Sequence, residues 1–162
     1  MVGIGKAAQA KHLFRVGDVV KGESQAVADP RTEPVEFYKT SGLRLIERGR
    51  IVEETPPPWR GIPPALDVYR KRGHRRLDVR TYEKRCRECF WGCRMPVEII
   101  VDQWNPGDKR YRFETFCYGP KSCPLYAAGP TRKVPGRRGM TWEEEGWVDE
   151  EETAHRSADE LP

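Results

Sequence analysis

Several common signatures of enzymatic function are missing from this sequence. It has only three histidines, His12, His74 and His155, and none has a catalytic spacing to a cysteine, serine or carboxylate. It contains no Gly-rich phosphate loop, no Gly-x-Ser-x-Gly turn and no His-Glu-x-x-His helix. The sequence therefore favours a non-catalytic role.

Long hydrophobic runs are also missing. No apolar stretch approaches the roughly 18 residues that a membrane-spanning helix needs. The first ten residues lack the basic region and the long apolar region of a secretory signal. We therefore expect a cytoplasmic protein with no membrane partner, in a reducing compartment where structural disulfides are rare.

The composition predicts a protein with a thin core. Hydrophobic residues make up 37% of the 162 residues and charged residues 33%, and there are 14 prolines and 15 glycines. Small, loop-rich cores of this kind often need a metal ion to stabilise them.

All five cysteines lie in one stretch, as Cys86, Cys89, Cys93, Cys117 and Cys123. Two thiol clusters that flank a predicted hairpin are typical of a zinc ribbon. We predict that Cys86, Cys89, Cys117 and Cys123 bind Zn²⁺, because C-x₂-C is the commonest first half of such sites, with Cys93 as an alternate ligand. Four cysteines also bind iron–sulfur clusters, which remain the alternative cofactor. Free buried thiols or disulfides are the remaining interpretations.

The segment between the thiol clusters has the pattern of a β-hairpin. Residues 97–104 and 110–116 alternate in polarity, and turn-forming residues separate them at 105–108. A three-residue loop would pair Ile99 with Phe113 and bring the two thiol clusters to the same end of the hairpin. This register predicts one apolar face with the side chains of Val97, Ile99, Val101, Tyr111 and Phe113.

The N-terminal part of the chain contains several short β patterns. They lie at 13–22, 36–39 and 43–47, and Ile51 and Val52 are a further candidate. The run from Val16 to Val20, Val-Gly-Asp-Val-Val, resembles the opening strand of small RNA-binding barrels of the OB and SH3-like kinds. The resemblance implies a barrel-like antiparallel sheet, complete or finished by strands from elsewhere.

The predicted fold is therefore mainly β, in the small α+β class, loop-rich, with a short C-terminal helix. We divide the chain into a barrel-like half at 1–55, a Pro-rich linker at 56–64, a zinc-ribbon-like module at 65–140 and an acidic C-terminal helix or tail at 141–162.

Local patterns add finer expectations. We expect a helix over 65–72, a strand over 77–82 and a helix that starts at the capping box 141–144. Beyond His155 we expect disorder. Trp59 is expected to attach the linker to the core.

Charge is distributed unevenly although the net charge is only +4. Residues 60–94 hold eleven Lys or Arg against four acids, whereas residues 143–160 hold nine acids and one Arg. Cations neutralise phosphates and aromatic faces stack on unpaired bases. The predicted nucleic-acid-binding residues are Arg70, Arg72, Arg75, Arg76, Trp91, Tyr118, Arg132 and Lys133.

The favoured function is thus a zinc-binding, non-catalytic nucleic-acid-binding protein that prefers RNA or single strands. One alternative is a protein-interaction module or a subunit of a larger complex, which would bind its partner through the Pro-rich linker or the acidic tail. The other is a metal-dependent or thiol-redox enzyme that uses Cys93 beside Trp91 and Arg94.

Overall fold

The structure is a computed structural model that describes residues 1–28, 33–50, 59–100, 104–144 and 147–157. Small antiparallel sheets and short helices make up these ranges, which confirms the mainly β, small α+β class. The predicted strand at Ile51 and Val52 and the first three residues of the Pro-rich linker, 56–58, lie outside the described residues.

The elements follow one another along the chain in an order that alternates short helices with sheets. They are α1 (Lys6–His12), β1 (Val19–Ala26), β2 (Phe37–Glu47), α2 (Leu66–Arg72), β3 (Arg75–Arg76), α3 (Val79–Thr81), β4 (Gly92–Ile100), β5 (Lys109–Cys117), β6 (Arg132–Pro135), β7 (Thr141–Glu144) and α4 (Trp147–Thr153).

The N-terminal part is a two-stranded ribbon. Within the described part of the chain, β1 pairs only with β2, and every residue of β1 is exposed. The two strands predicted at 36–39 and 43–47 are one strand, because register shifts and the positive φ of Gly42 keep the pairing continuous. The described residues contain no closed barrel, since neither strand finds a further partner strand among them.

The chain after the linker begins with a helix that matches its prediction. α2 ends where Gly73 adopts a φ of 66°, a conformation that glycine reaches at little cost. The strand predicted over 77–82 is wrong. The carboxylate of Asp78 accepts a hydrogen bond from the Thr81 amide and starts α3, which continues as a wider helical turn over Tyr82–Cys86.

The central sheet has the strand order β3-β5-β4. In β4 and β5, Ile99 lies opposite Arg110 and Val97 lies opposite Arg112. The predicted pairing of Ile99 with Phe113 is therefore wrong by three residues. An odd shift reverses the face of one strand relative to the other, so Tyr111 and Phe113 lie on the outer face.

The core lies on the inner face of this sheet. Met95, Val97 and Phe116 are fully enclosed there, and the rings of Tyr69 and Trp91 pack beside them with their centroids 5.3 Å apart. The buried cysteines belong to the same cluster. The core and the candidate site therefore share one packed interior.

The C-terminal segment contains a hairpin and a helix. The helix predicted to start at the capping box is wrong, because 141–144 is strand β7, in which Trp142 lies opposite Val134. The short C-terminal helix is present as α4, further along the chain. The disorder expected beyond His155 is wrong for Arg156, which is buried, and residues 158–162 lie outside the described part of the chain.

None of the helices in the described ranges has the length and the apolar character to traverse a bilayer.

Candidate metal centre

The first thiol pair lies on a tight turn between the helical segment and β4. The amide of Cys89 donates to the carbonyl of Cys86 at 3.1 Å, and the amide of Gly92 donates to the carbonyl of Cys89 at 3.0 Å. A Cβ atom at position 92 would lie 2.4 Å from the carbonyl oxygen of Cys86. The turn therefore requires glycine at this position for steric reasons.

The second thiol pair begins at the end of β5. The amide of Gly119 donates to the Sγ atom of Cys117 at 3.3 Å. The amide of Cys123 donates to the carbonyl of Pro120 at 3.1 Å, which closes a further turn under the second thiol. Backbone hydrogen bonds thus fix the chain at both cysteines.

The sheet register brings the two thiol turns together. Gly92 lies opposite Cys117, and the amide of Tyr118 donates to the carbonyl of Trp91 at 2.9 Å. The sequence prediction that both clusters meet at one end of the hairpin is confirmed.

One small cavity lies between the turns. It is lined by the four cysteines of the predicted set, with mainly apolar side chains completing the wall: Cys86, Cys89, Cys117, Cys123, Trp59, Leu77, Trp91, Leu125 and Tyr126, together with Gly92. Its volume of about 10 Å³ suits one atom-sized occupant. Cys93 does not line it.

Cys93 lies on the inner face of β4, and only 2% of its surface is exposed. Burial raises the pKa of its thiol to about 12. A protonated thiol inside the core is a poor nucleophile. Its position outside the cavity disfavours a ligand role, and its enclosure in the core disfavours a redox role.

Three of the thiols that line the cavity, those of Cys86, Cys89 and Cys117, also have raised pKa values. Burial, followed by the neighbouring thiols, raises the pKa of Cys86 to about 12, and burial raises that of Cys89 to about 11. Burial raises the pKa of Cys117, whereas the Gly119 amide and the Arg75 cation lower it. Backbone amides of Trp91 and Gly92 similarly favour the thiolate of Cys89. Amide donors directed at sulfur suit a bound cation.

The positions of the four cysteine side chains limit how far the metal-site interpretation can be taken. No group of three or more His, Cys, Asp or Glu side chains within the described ranges has the geometry of a formed metal site. The four thiols surround one cavity but are not drawn together onto a common point. The four cysteines and the backbone around them fit a thiolate-bound cation. Their side chains as they stand do not form the coordination sphere of such a cation.

Trp59 belongs to the wall of the cavity. Its carbonyl accepts a hydrogen bond from the amide of Phe90 at 2.8 Å, and its ring packs against the core. This arrangement confirms that Trp59 attaches the linker to the core.

Half of the predicted nucleic-acid contacts are core residues. Arg75, Arg76, Trp91 and Tyr118 are all buried, and a buried side chain offers no surface to a phosphate or a base. This burial corrects the prediction for these four residues. The pattern of polar and apolar residues in the sequence could not reveal this burial, because a buried arginine reads as a surface residue. The guanidinium groups of Arg75 and Arg76 donate to backbone carbonyls inside the protein.

Three of the other four predicted contacts have partners within the protein. Arg70 pairs with Glu33 at 3.2 Å, and Lys133 pairs with Glu143 at 3.3 Å. Arg72 donates to the carbonyl of Tyr118, and its guanidinium lies 4.5 Å from the centre of the Trp91 ring. The side chain of Arg132 lies outside the description. The structure does not gather these residues into one surface.

A different surface combines aromatic and basic side chains, and the sequence analysis missed it. Tyr111 and Phe113 are 54% and 59% exposed on the outer face of β5, and Arg94 from β4 lies 5.1 Å from the centre of the Phe113 ring. Arg94 also pairs with Glu83 at 3.5 Å, which brings the neighbouring helical turn to this face. That segment carries the exposed cations Arg80, Lys84, Arg85 and Arg87. We call this the hairpin face.

Substituting Gly92 with alanine tests the steric requirement of the first thiol turn. We expect G92A to destabilise the protein and to weaken its metal binding, because the new Cβ atom would collide with the Cys86 carbonyl. Thermal unfolding and zinc titration measure the two effects.

The matched control is G107A in the hairpin loop, where the nearest atom to a new Cβ would be 3.6 Å away. It should behave like the unchanged protein. Equal effects of G92A and G107A would contradict the steric account.

Comparison with known proteins gives no match to a family model, to a curated protein or to a solved structure. The functional argument therefore depends on the chemistry of the site alone.

Proposed function

We propose that this protein is a non-catalytic nucleic-acid-binding protein stabilised by one structural zinc ion. The observation that carries the zinc part is the cavity lined by Cys86, Cys89, Cys117 and Cys123. Zinc bound by four cysteines is the usual closed, structural arrangement, whereas a catalytic site keeps a position open. An iron–sulfur cluster uses the same four ligands and is the alternative occupant, which iron analysis separates from zinc.

Zinc would supply stability that the small core lacks. The two thiol turns flank the β4–β5 hairpin in the sequence and meet at one end of it in space, and the ion would cross-link them. The raised pKa values of Cys86 and Cys89 describe these thiols as neutral groups in an apolar wall. A divalent cation reverses that preference, because it stabilises the thiolate directly.

The hairpin face supports the nucleic-acid part of the proposal. Exposed aromatic rings on Tyr111 and Phe113 lie beside Arg94, with further cations on the flanking helical segment. Exposed rings stack on unpaired bases and nearby cations neutralise phosphates. Single strands fit this arrangement better than a duplex, because stacking needs bases that are already unpaired.

An enzymatic role has less support. The best candidate nucleophile, Cys93, is enclosed in the core and its pKa is raised by burial. The remaining thiols line the cavity between the two turns. We therefore assign them to structure rather than to chemistry.

Serine substitutions identify the zinc ligands. We expect C86S, C89S, C117S and C123S each to weaken zinc binding by more than the about 10- to 100-fold that loss of an outer hydrogen-bonding partner causes. The reason is that a hydroxyl replaces a thiolate ligand. Competition titration against a chromophoric chelator measures the affinity.

The control for this series is C93A, which alters a buried thiol outside the cavity. It should keep one zinc per chain with unchanged affinity. A protein whose affinity falls with C93A but not with C117S would have a different ligand set.

Alanine substitutions on the hairpin face test nucleic-acid binding. We expect Y111A/F113A to weaken binding to mixed single-stranded RNA and DNA about 5- to 100-fold, because stacking contributes about 1–3 kcal/mol per base. Fluorescence anisotropy at low ionic strength measures the affinity, which should fall as salt rises.

Trp142 provides the matched control, since it is an equally exposed aromatic residue on β7, in another sheet. W142A should bind like the unchanged protein. The proposal fails if the zinc-loaded protein shows no salt-dependent binding to either oligomer.

A further inference from the structure

Two buried arginines meet at the second thiol turn. Only 8% of Arg75 and 7% of Arg156 are exposed. Arg75 comes from β3 and Arg156 from the residues after α4, and both guanidinium groups donate to the carbonyl of Gly119. Two buried cations repel each other, so placing both at one carbonyl is unfavourable unless a negative charge nearby compensates for the repulsion.

The residue whose carbonyl they bind, Gly119, belongs to the candidate metal centre. The amide of Gly119 donates to the Sγ atom of Cys117. Arg75 also donates to the carbonyl of Pro120 at 2.8 Å, and the same carbonyl accepts the amide of Cys123. The arginines therefore fix the backbone at both cysteines of the second pair.

The C-terminal segment is anchored near the same turn. The carbonyl of Arg156 accepts a hydrogen bond from Lys121 at 3.0 Å, and Thr153 at the end of α4 is buried. His74 and Glu152 approach to 3.3 Å on the other side of the helix. α4 thus packs against β3, and the residues that follow it reach the second thiol turn, although the β6–β7 hairpin separates α4 from Cys123 in the sequence.

Charge gives a second reason for the arrangement. A divalent cation bound by four thiolates carries a net double negative charge, which is unfavourable inside an apolar cavity. Arg75 and Arg156 both donate to the carbonyl of Gly119, two residues after Cys117. Two guanidinium groups supply the positive charge that such a centre would need.

We propose that Arg75 and Arg156 are positioning residues for the metal centre, and that docking of the C-terminal helix and metal binding are coupled through them. This inference rests on the proposed zinc site. Coupling is reciprocal, so loss of either arginine weakens metal binding and loss of metal loosens α4. The stability of α4 then depends on whether the metal centre is occupied.

The first experiment measures zinc affinity of R75Q, R156Q and R156K by chelator competition. We expect R75Q and R156Q to bind zinc about 10- to 100-fold more weakly, as outer-sphere partners do. R156K should recover part of the loss, because it keeps the charge but not the planar donor group. R70Q, which removes an exposed arginine on α2, should match the unchanged protein.

The second experiment needs no substitution, so misfolding of a variant cannot obscure it. Hydrogen exchange of the unchanged full-length protein is compared with and without bound zinc. We expect removal of zinc to raise exchange in α4 as well as in the thiol turns, while the β1–β2 ribbon stays unchanged. Equal exchange in α4 under both conditions would overturn the coupling.

The two proposals fail in different ways. A protein that binds no zinc at all overturns the zinc site and, with it, the role of the arginines. A protein that binds zinc with the same affinity in R75Q, R156Q and R70Q keeps the zinc site and overturns only the coupling.

Discussion

The hydrogen-bonded alignment of β4 with β5 is the constraint on which the rest of the structure depends. It places Gly92 opposite Cys117, so the two thiol turns meet across one strand pair. The same alignment directs Met95 and Val97 into the core and leaves Tyr111 and Phe113 outside. One register therefore determines the candidate metal cavity, the packed interior and the proposed binding face.

At the two thiol turns the backbone is fixed by hydrogen bonds, whereas the cysteine side chains are not gathered into a closed site. The backbone is held by hydrogen bonds at Cys89, Gly92 and Gly119, and by the carbonyls that the two buried arginines occupy. The sulfur atoms surround the cavity without forming a closed metal site. Rotation of the four cysteine side chains on this fixed backbone would be enough to close the site. The proposed zinc ion would provide the driving force, because it attracts the thiolates.

The sequence was most informative where the chemistry is local. The C-x₂-C turn, the glycine that ends α2 and the class of the fold all follow from short patterns. The predicted register between β4 and β5 was wrong, because register depends on packing across the whole sheet and not on the local pattern of the hairpin. Thr141 to Glu144 matched a helix cap but pairs with β6 instead. Arg75 was predicted to contact phosphates and Arg156 to lie in a disordered tail, since no local pattern shows that two distant segments bury them together.

Elemental analysis of the protein purified without chelator, combined with its absorption spectrum, tests the central claim most directly. The account predicts one zinc per chain and a colourless solution. Iron in a brown protein would contradict the zinc assignment and would indicate a cluster bound by the same cysteines. Absence of any metal would contradict the metal centre itself, and the four thiols would then be core residues around a small cavity.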